Sequence, residues 1–211
     1  YVDIVEAGGS NPSSPTVFMK NIKVTLPDKS IKTVPVGTTP QQIADEIGPG
    51  LARAVLVAKI DEKLSDLNTQ MSYDCSLELF TGDTPEGHDT LLHSTAHLMA
   101  QAVKKLYPNA MVTIGPTIEN GFYYDFDVES TFSDENLLEI EQKMKELAKA
   151  SQEIVRKEIS VKDAISLFEN IGEDYKVEII KQIDPNDIIS AYTQNNFTDL
   201  CRGPHVSNTS K

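Results

Sequence analysis

Between Ile22 and Phe80 the apolar residues change period, and the order of the changes leaves few folds open. They alternate at Ile22, Val24 and Leu26, break at the turn Pro27-Asp28-Lys29-Ser30, and resume from Ile31 to Val36, the pattern of a β-hairpin. A helix follows by its start signal. Thr39 is placed to cap it, Pro40 takes the first helical position, and Gln42 completes a capping box. Ile43 and Ile47 should face inward, and Gly48-Pro49-Gly50 should end the helix. Strands are expected from Ala54 to Ile60 and from Ser76 to Phe80. Two strands, one helix and further strands within about sixty residues describe a small α+β unit, its helix packed on one sheet face.

That arrangement is a β-grasp of the ubiquitin-like kind, expected over residues 19–82, with Thr81-Gly82-Asp83-Thr84-Pro85-Glu86-Gly87 as its boundary. The residues before it carry no periodic apolar positions. Gly8-Gly9-Ser10-Asn11-Pro12-Ser13-Ser14-Pro15 reads as flexible coil, so residues 1–18 are expected to be a non-native leader, with Met19 the natural start.

Residues 83–211 form the second expected domain, also α+β, with helices packed on an antiparallel sheet. Its first helix is expected from about Asp89 to Leu106, apolar at Leu92, Ala96, Met99, Val103 and Leu106 and ended by Tyr107-Pro108-Asn109. A strand is expected at Met111 to Ile114. From Gly121 to Asp127 the chain alternates, with Phe122, Tyr124 and Phe126 on one face and Asp125 and Asp127 on the other. Ser133 caps a long helix with Asp134 and Glu135 in its first turn and Leu137, Ile140, Met144 and Leu147 as its buried stripe. A shorter helix from Val161 to Ile171 stops at Gly172.

Composition narrows the function classes. With 39% hydrophobic and 24% charged residues the chain is an ordinary globular one, and no apolar run approaches the length of a membrane helix. It is expected in the cytoplasm, away from membranes. Cys75 and Cys201 make a poor disulfide framework and should both stay reduced. The net charge of −13 excludes general affinity for nucleic-acid backbones, so any such contact must be local. Lys104/Lys105 and Arg156/Lys157 are small basic clusters that read first as solvated helix ends and are weak evidence of such a contact.

Two short pairings carry the chemistry. His93-Ser94-Thr95-Ala96-His97 puts two imidazoles four apart on one helix face, and Cys201-Arg202-Gly203-Pro204-His205 puts a thiol and an imidazole on a turn that Gly203-Pro204 keeps from being helical. A fold that joins the pairs gathers four proton-transfer or metal-ligating groups in one place. Three nitrogens and a sulfur can hold zinc tetrahedrally, but with all four bound no position remains for a catalytic water.

Together with Ile114-Gly115-Pro116, Asn120-Gly121-Phe122-Tyr123-Tyr124-Asp125, Tyr175-Lys176 and Asp199-Leu200, these motifs closely resemble the editing domain of bacterial-type threonyl-tRNA synthetases. The preceding unit, with Leu26-Pro27-Asp28 and Asp45-Glu46-Ile47-Gly48-Pro49-Gly50-Leu51-Ala52, resembles their N-terminal TGS domain. The resemblance spans about residues 20 to 211. It implies hydrolysis of the ester that wrongly joins serine to threonine tRNA. Serine lacks only a methyl, which is worth roughly 1–3 kcal/mol of discrimination, so a second sieve must remove the error.

The resemblance further implies that His93 and Lys176 position and activate a water. Asp199, Cys201 and His205 would line the site and hold the terminal adenosine and seryl group, with His97 completing the cluster and Tyr124 as a candidate substrate contact. It implies that no cofactor is needed, threonyl-type domains working without the zinc that alanyl-type domains hold on the equivalent of His93, His97, Cys201 and His205. It implies threonine tRNA as partner, and a full-length enzyme that is homodimeric through domains this chain lacks, the class II ligase core among them. Two other readings stand beside it: a freestanding zinc-dependent trans-editing hydrolase of the alanyl type, and a non-enzymatic RNA-binding or regulatory TGS module with a structural histidine cluster.

Overall fold

The computed structural model describes residues 20–119 and 121–211, so the leader expected at 1–18 and the start expected at Met19 lie outside the described residues. The first strands are β1 (Asn21–Thr25) and β2 (Ile31–Pro35), an antiparallel hairpin pairing Ile22 with Val34. Helix α1 (Pro40–Ile47) has the expected capping box: the Thr39 side chain accepts from the Gln42 N–H and the Gln42 side chain from the Thr39 N–H. Gly48 does not open a loop. The chain turns there straight into α2 (Pro49–Ala54), again with proline in the first turn. Ile47 ends the first helix at that turn and is 48% exposed, so only Ile43 of the expected inward pair reaches the core.

Strands β3 (Val55–Ile60), β4 (Lys63–Ser65) and β5 (Cys75–Thr81) complete a five-stranded sheet in the order β2-β1-β5-β3-β4. The central β1–β5 pair is parallel and the others are antiparallel, which is the β-grasp arrangement. Ile43 and Ala44 of α1 pack on Ile22, Val24, Val34, Val55 and Leu77 in one cluster.

Across the run Thr81–Gly87 the chain leaves β5 at Thr81, turns at Gly82 and Asp83, and enters a helix at Pro85. Thr84 accepts from the Gly87 N–H, Pro85 fixes the first turn, and α3 runs from Pro85 to Leu106, beginning four residues before the expected Asp89. Gly87 is there for space: a Cβ would lie 2.0 Å from the Thr81 carbonyl oxygen. Short strands β6 (Met111–Val112), β7 (Thr117–Ile118), β8 (Gly121–Phe122) and β9 (Phe126–Asp127) pair as β6–β9 and β7–β8. Phe122, Tyr124 and Phe126 turn inward and Asp125 and Asp127 outward, as the alternation requires. Helix α4 (Asp134–Lys149) starts at the Ser133 cap and buries Ile140 and Leu147 against α3, but Leu137 in its first turn is 53% exposed because the shared core begins one turn later.

The rest of the chain is more regular than its sequence suggests. Strand β10 (Ile154–Ser160), helix α5 (Val161–Asn170), helix α6 (Asp174–Ile180), strand β11 (Ile188–Gln194) and strand β12 (Phe197–Leu200) follow in order. The three strands make an antiparallel meander, and Phe168, Val177 and Ile180 fill the space between the helices and the sheet. The fold is α+β in both halves. Leu56 of β3 joins Leu91, Ile154, Tyr192 and Val206 in a cluster that ties the halves together.

Candidate functional site

Four elements of the second half deliver the site. Helix α3 carries His93 and His97 on one face, their ring centroids 5.1 Å apart. The irregular turn after β12 carries Cys201 and His205. Helix α6 and strand β12 bring Lys176 and Asp199. The donor atoms of His93, His97, Cys201 and His205 all lie within 4.8 Å of one another, so the two sequence pairs do meet and could hold a metal ion.

The turn is bent into place by Gly203. Its φ is +70°, and a Cβ there would sit 1.8 Å from the Tyr192 hydroxyl. The Gly203 N–H donates to Cys201 Sγ at 3.3 Å and the Val206 N–H to Ser94 Oγ at 3.1 Å. Ser94 Oγ donates its own proton to the Thr90 carbonyl at 2.8 Å. At the 3.0 Å contact with Ser94 Oγ, His205 Nδ1 is therefore the donor, which leaves a lone pair on Nε2, 3.2 Å from Cys201 Sγ. His93 Nε2 also lies 3.2 Å from that sulfur.

Beside the cluster sits a buried ion pair. Lys176 Nζ is 2.7 Å from Asp199 Oδ1, and the two residues are only 4% and 2% exposed. Taken alone Lys176 reads as a surface lysine and Asp199 as a turn residue; the fold buries both. Asp199 also accepts from the Tyr124 hydroxyl at 2.6 Å and from the Leu200 N–H at 2.8 Å, and its Oδ2 lies 3.6 Å from His97 Nδ1. Tyr124 is thus an anchor for Asp199, with its ring stacked on Phe126.

Electrostatics follow from burial. Desolvation holds His97 and His205 well below the ordinary imidazole value and His93 below it, so all three are neutral at pH 7. The neighbouring imidazoles reinforce this in His97 and His205, whereas the Pro204 carbonyl and the Asp199 and Asp66 carboxylates partly offset it in His93. Desolvation pushes the Cys201 thiol up to about 12, so it is no thiolate, and burial beside Asp199 raises Tyr124 far above a free phenol. The site offers neutral bases and one ammonium that keeps donors to spare. Both cysteines are free. A cavity of about 470 Å³ between Leu106 and Asn136 contains none of these residues.

Comparison with known proteins gives this geometry a family. The TGS domain profile matches residues 22–81, and the profile of the threonyl and alanyl tRNA synthetase second additional domain matches residues 189–211. The threonine-tRNA ligases of Geobacter sp. (strain M21) and Citrifermentans bemidjiense are each 52% identical to this chain over 192 residues, which is 91% of it. That of Geobacillus sp. (strain WCH70) is 49% identical over 190 residues, or 90% of it. The chain is a threonine-tRNA ligase homologue. It spans about 30% of the length of these relatives.

The second profile covers Asp199, Cys201 and His205, whereas His93, His97, Tyr124 and Lys176 fall outside both profiles. Three residues that hold the cluster went unread in the sequence: Asp66, Tyr192 and, as a hydrogen-bonding group, Ser94. Ser94 had a signal, lying one residue after His93 on the same helix. Asp66 and Tyr192 had none, because each acts on a turn far away in the chain. Among the described residues no helix is long and apolar enough to cross a membrane.

Proposed function

We propose that this chain hydrolyses the ester linking serine to threonine tRNA, as the editing part of a threonine-tRNA ligase, with residues 19–82 as its TGS domain and 83–211 as the deacylase. The observation that carries the reading is the buried Lys176–Asp199 pair set against a cluster of three neutral imidazoles. In this reading a water lies against His93, which is the imidazole of the three least withdrawn from solvent and is free to take its proton at pH 7. Lys176 spends one N–H on Asp199 and turns another to the developing oxyanion. Asp199 holds that ammonium in place, Tyr124 holds Asp199, and Cys201 and His205 line the floor. Cys201 acts as a thiol that positions, since its raised pKa removes the nucleophilic form.

A tRNA end is the partner that suits the charge. The chain as a whole is strongly acidic, yet a cleft of about 570 Å³ that reaches Cys201 is lined by Lys63, Arg156 and Arg202 against a single acid, Asp187.

A zinc-assisted variant has one observation in its favour. The His205 ring is held by Ser94 Oγ at 3.0 Å, and a ring nitrogen fixed by a protein oxygen is how metal-bound imidazoles are oriented. The donor set fits the ion: His93, His97, Cys201 and His205 would hold it. A bound zinc would supply a Lewis acid beside the ester only with one of the four groups stepped back to open a position.

The test is single-turnover deacylation by the full chain at saturating enzyme, with seryl and threonyl esters on the same tRNA. The seryl ester should be cleaved much faster, because threonine's methyl displaces the carbonyl from the water. His93→Ala should slow it by roughly 10²- to 10⁴-fold. Equal rates for the two esters would remove the second-sieve reading, and cleavage of neither would favour a binding module.

A further inference from the structure

The loop after β4 belongs to the first half of the chain, yet one of its side chains ends at the histidine cluster. Asp66 Oδ1 accepts from the backbone N–H of His205 at 2.8 Å, and Oδ2 accepts from the Tyr192 hydroxyl at 2.8 Å. One carboxylate therefore ties a site histidine to the strand that packs beneath it. The His205 ring lies 4.5 Å from the Tyr192 ring, centroid to centroid, and the Tyr192 hydroxyl is the atom that Gly203 leaves room for.

The turn from Cys201 to Val206 lies outside the strands, so its N–H groups must find partners elsewhere. The Cys201 N–H goes to the Ser190 carbonyl at 3.1 Å, and side chains from three places take three more: Cys201 takes Gly203, Ser94 of α3 takes Val206, and Asp66 takes His205. Of these only Asp66 comes from the β-grasp half. A carboxylate is a stronger acceptor than a carbonyl, and here it fixes the backbone of the residue whose imidazole faces Cys201 and His93.

We infer that Asp66 is a positioning residue for His205, so that the β-grasp half is a working part of the hydrolytic site and not only an appended module. The inference rests on the proposed deacylation for its kinetic arm. A bond that merely docked the two halves would be interchangeable with other docking bonds. One such bond is Lys211 Nζ, which donates to the carbonyls of Arg53 at 2.8 Å and Val55 at 3.2 Å and touches no site residue.

The experiment compares Asp66→Ala, Asp66→Asn and Lys211→Ala in the full chain. Asp66→Ala should lower kcat for the seryl ester about 10²-fold, the cost of a misplacement on the order of 1 Å, with KM within about twofold. Asp66→Asn keeps one acceptor and should recover much of that loss, and it serves if the alanine variant does not fold. Lys211→Ala should leave kcat unchanged. A full rate in both Asp66 variants, or an equal fall in Lys211→Ala, would overturn the inference. Imidazole NMR of the ¹⁵N-histidine-labelled chain reads the same point without activity: the Asp66 variants should move the His205 signals and leave those of exposed His88 in place. If the wild type cleaves neither ester, the deacylase reading fails and this arm decides alone, unmoved His205 signals overturning the role of Asp66.

Discussion

Replacing Lys176 by Met removes one half of a pair that is almost wholly out of water. Taking away one partner of a buried ion pair costs about 3–5 kcal/mol, because the other charge is left without compensation. Here the two halves are not equivalent. Without Lys176, Asp199 still accepts from the Tyr124 hydroxyl at 2.6 Å and the Leu200 N–H at 2.8 Å. Lys176→Met should therefore fall at the low end, about 3 kcal/mol. Without the Asp199 charge, Lys176 keeps no carboxylate, only the Tyr124 ring with its centroid 5.9 Å from Nζ, so Asp199→Asn should reach about 5 kcal/mol. The double variant buries no charge and should be more stable than Asp199→Asn alone, a coupling of several kcal/mol by the same reasoning. The chain has no tryptophan, so urea unfolding at pH 7 is best followed by circular dichroism. Single variants within about 0.5 kcal/mol of wild type, or a double variant equal to the sum of the singles, would show that the two charges are not a buried, coupled pair.

The two buried imidazoles and the half-buried His93 make the fold sensitive to acid. Their pKa values are depressed in the folded state, so the unfolded chain binds more protons below about pH 6.5; stability is full above that pH and falls as pH drops, by up to about 1.4 kcal/mol per unit for each imidazole. Urea midpoints from pH 7.5 to 5 should show this, and a flat profile would contradict the burial of the cluster. Gly203→Ala should cost about 2–5 kcal/mol, the left-handed backbone and the clash with the Tyr192 hydroxyl adding together, which a thermal melt would read; an unchanged midpoint would mean the turn repacks freely. Prolonged chelation followed by buffer exchange should leave deacylation unchanged if water is activated by His93 alone. Stoichiometric zinc in the native protein, with activity lost on chelation and restored by zinc, would transfer the chemistry to the metal.

Local rules written in the sequence determined much of this protein. The hairpin, the Thr39 and Ser133 caps, the inward face of Phe122, Tyr124 and Phe126, and the common face of His93 and His97 follow from periods of 2 and 3.6 and from capping chemistry, which act over a few residues. Strand β10 escaped those rules because four of its seven residues in succession are exposed, so no alternation marks it. Helix α6 escaped them because it has seven residues and no side-chain cap. What only the tertiary structure decided is the environment of each polar group. Lys176 and Asp199 look like surface residues in sequence and become a buried pair because α6 and β12 close over them. Asp66 becomes part of the site because two halves of the chain dock at Tyr192 and His205. Burial and partnership at long sequence separation are what shift a pKa or hold an imidazole still, and no short-range pattern encodes them.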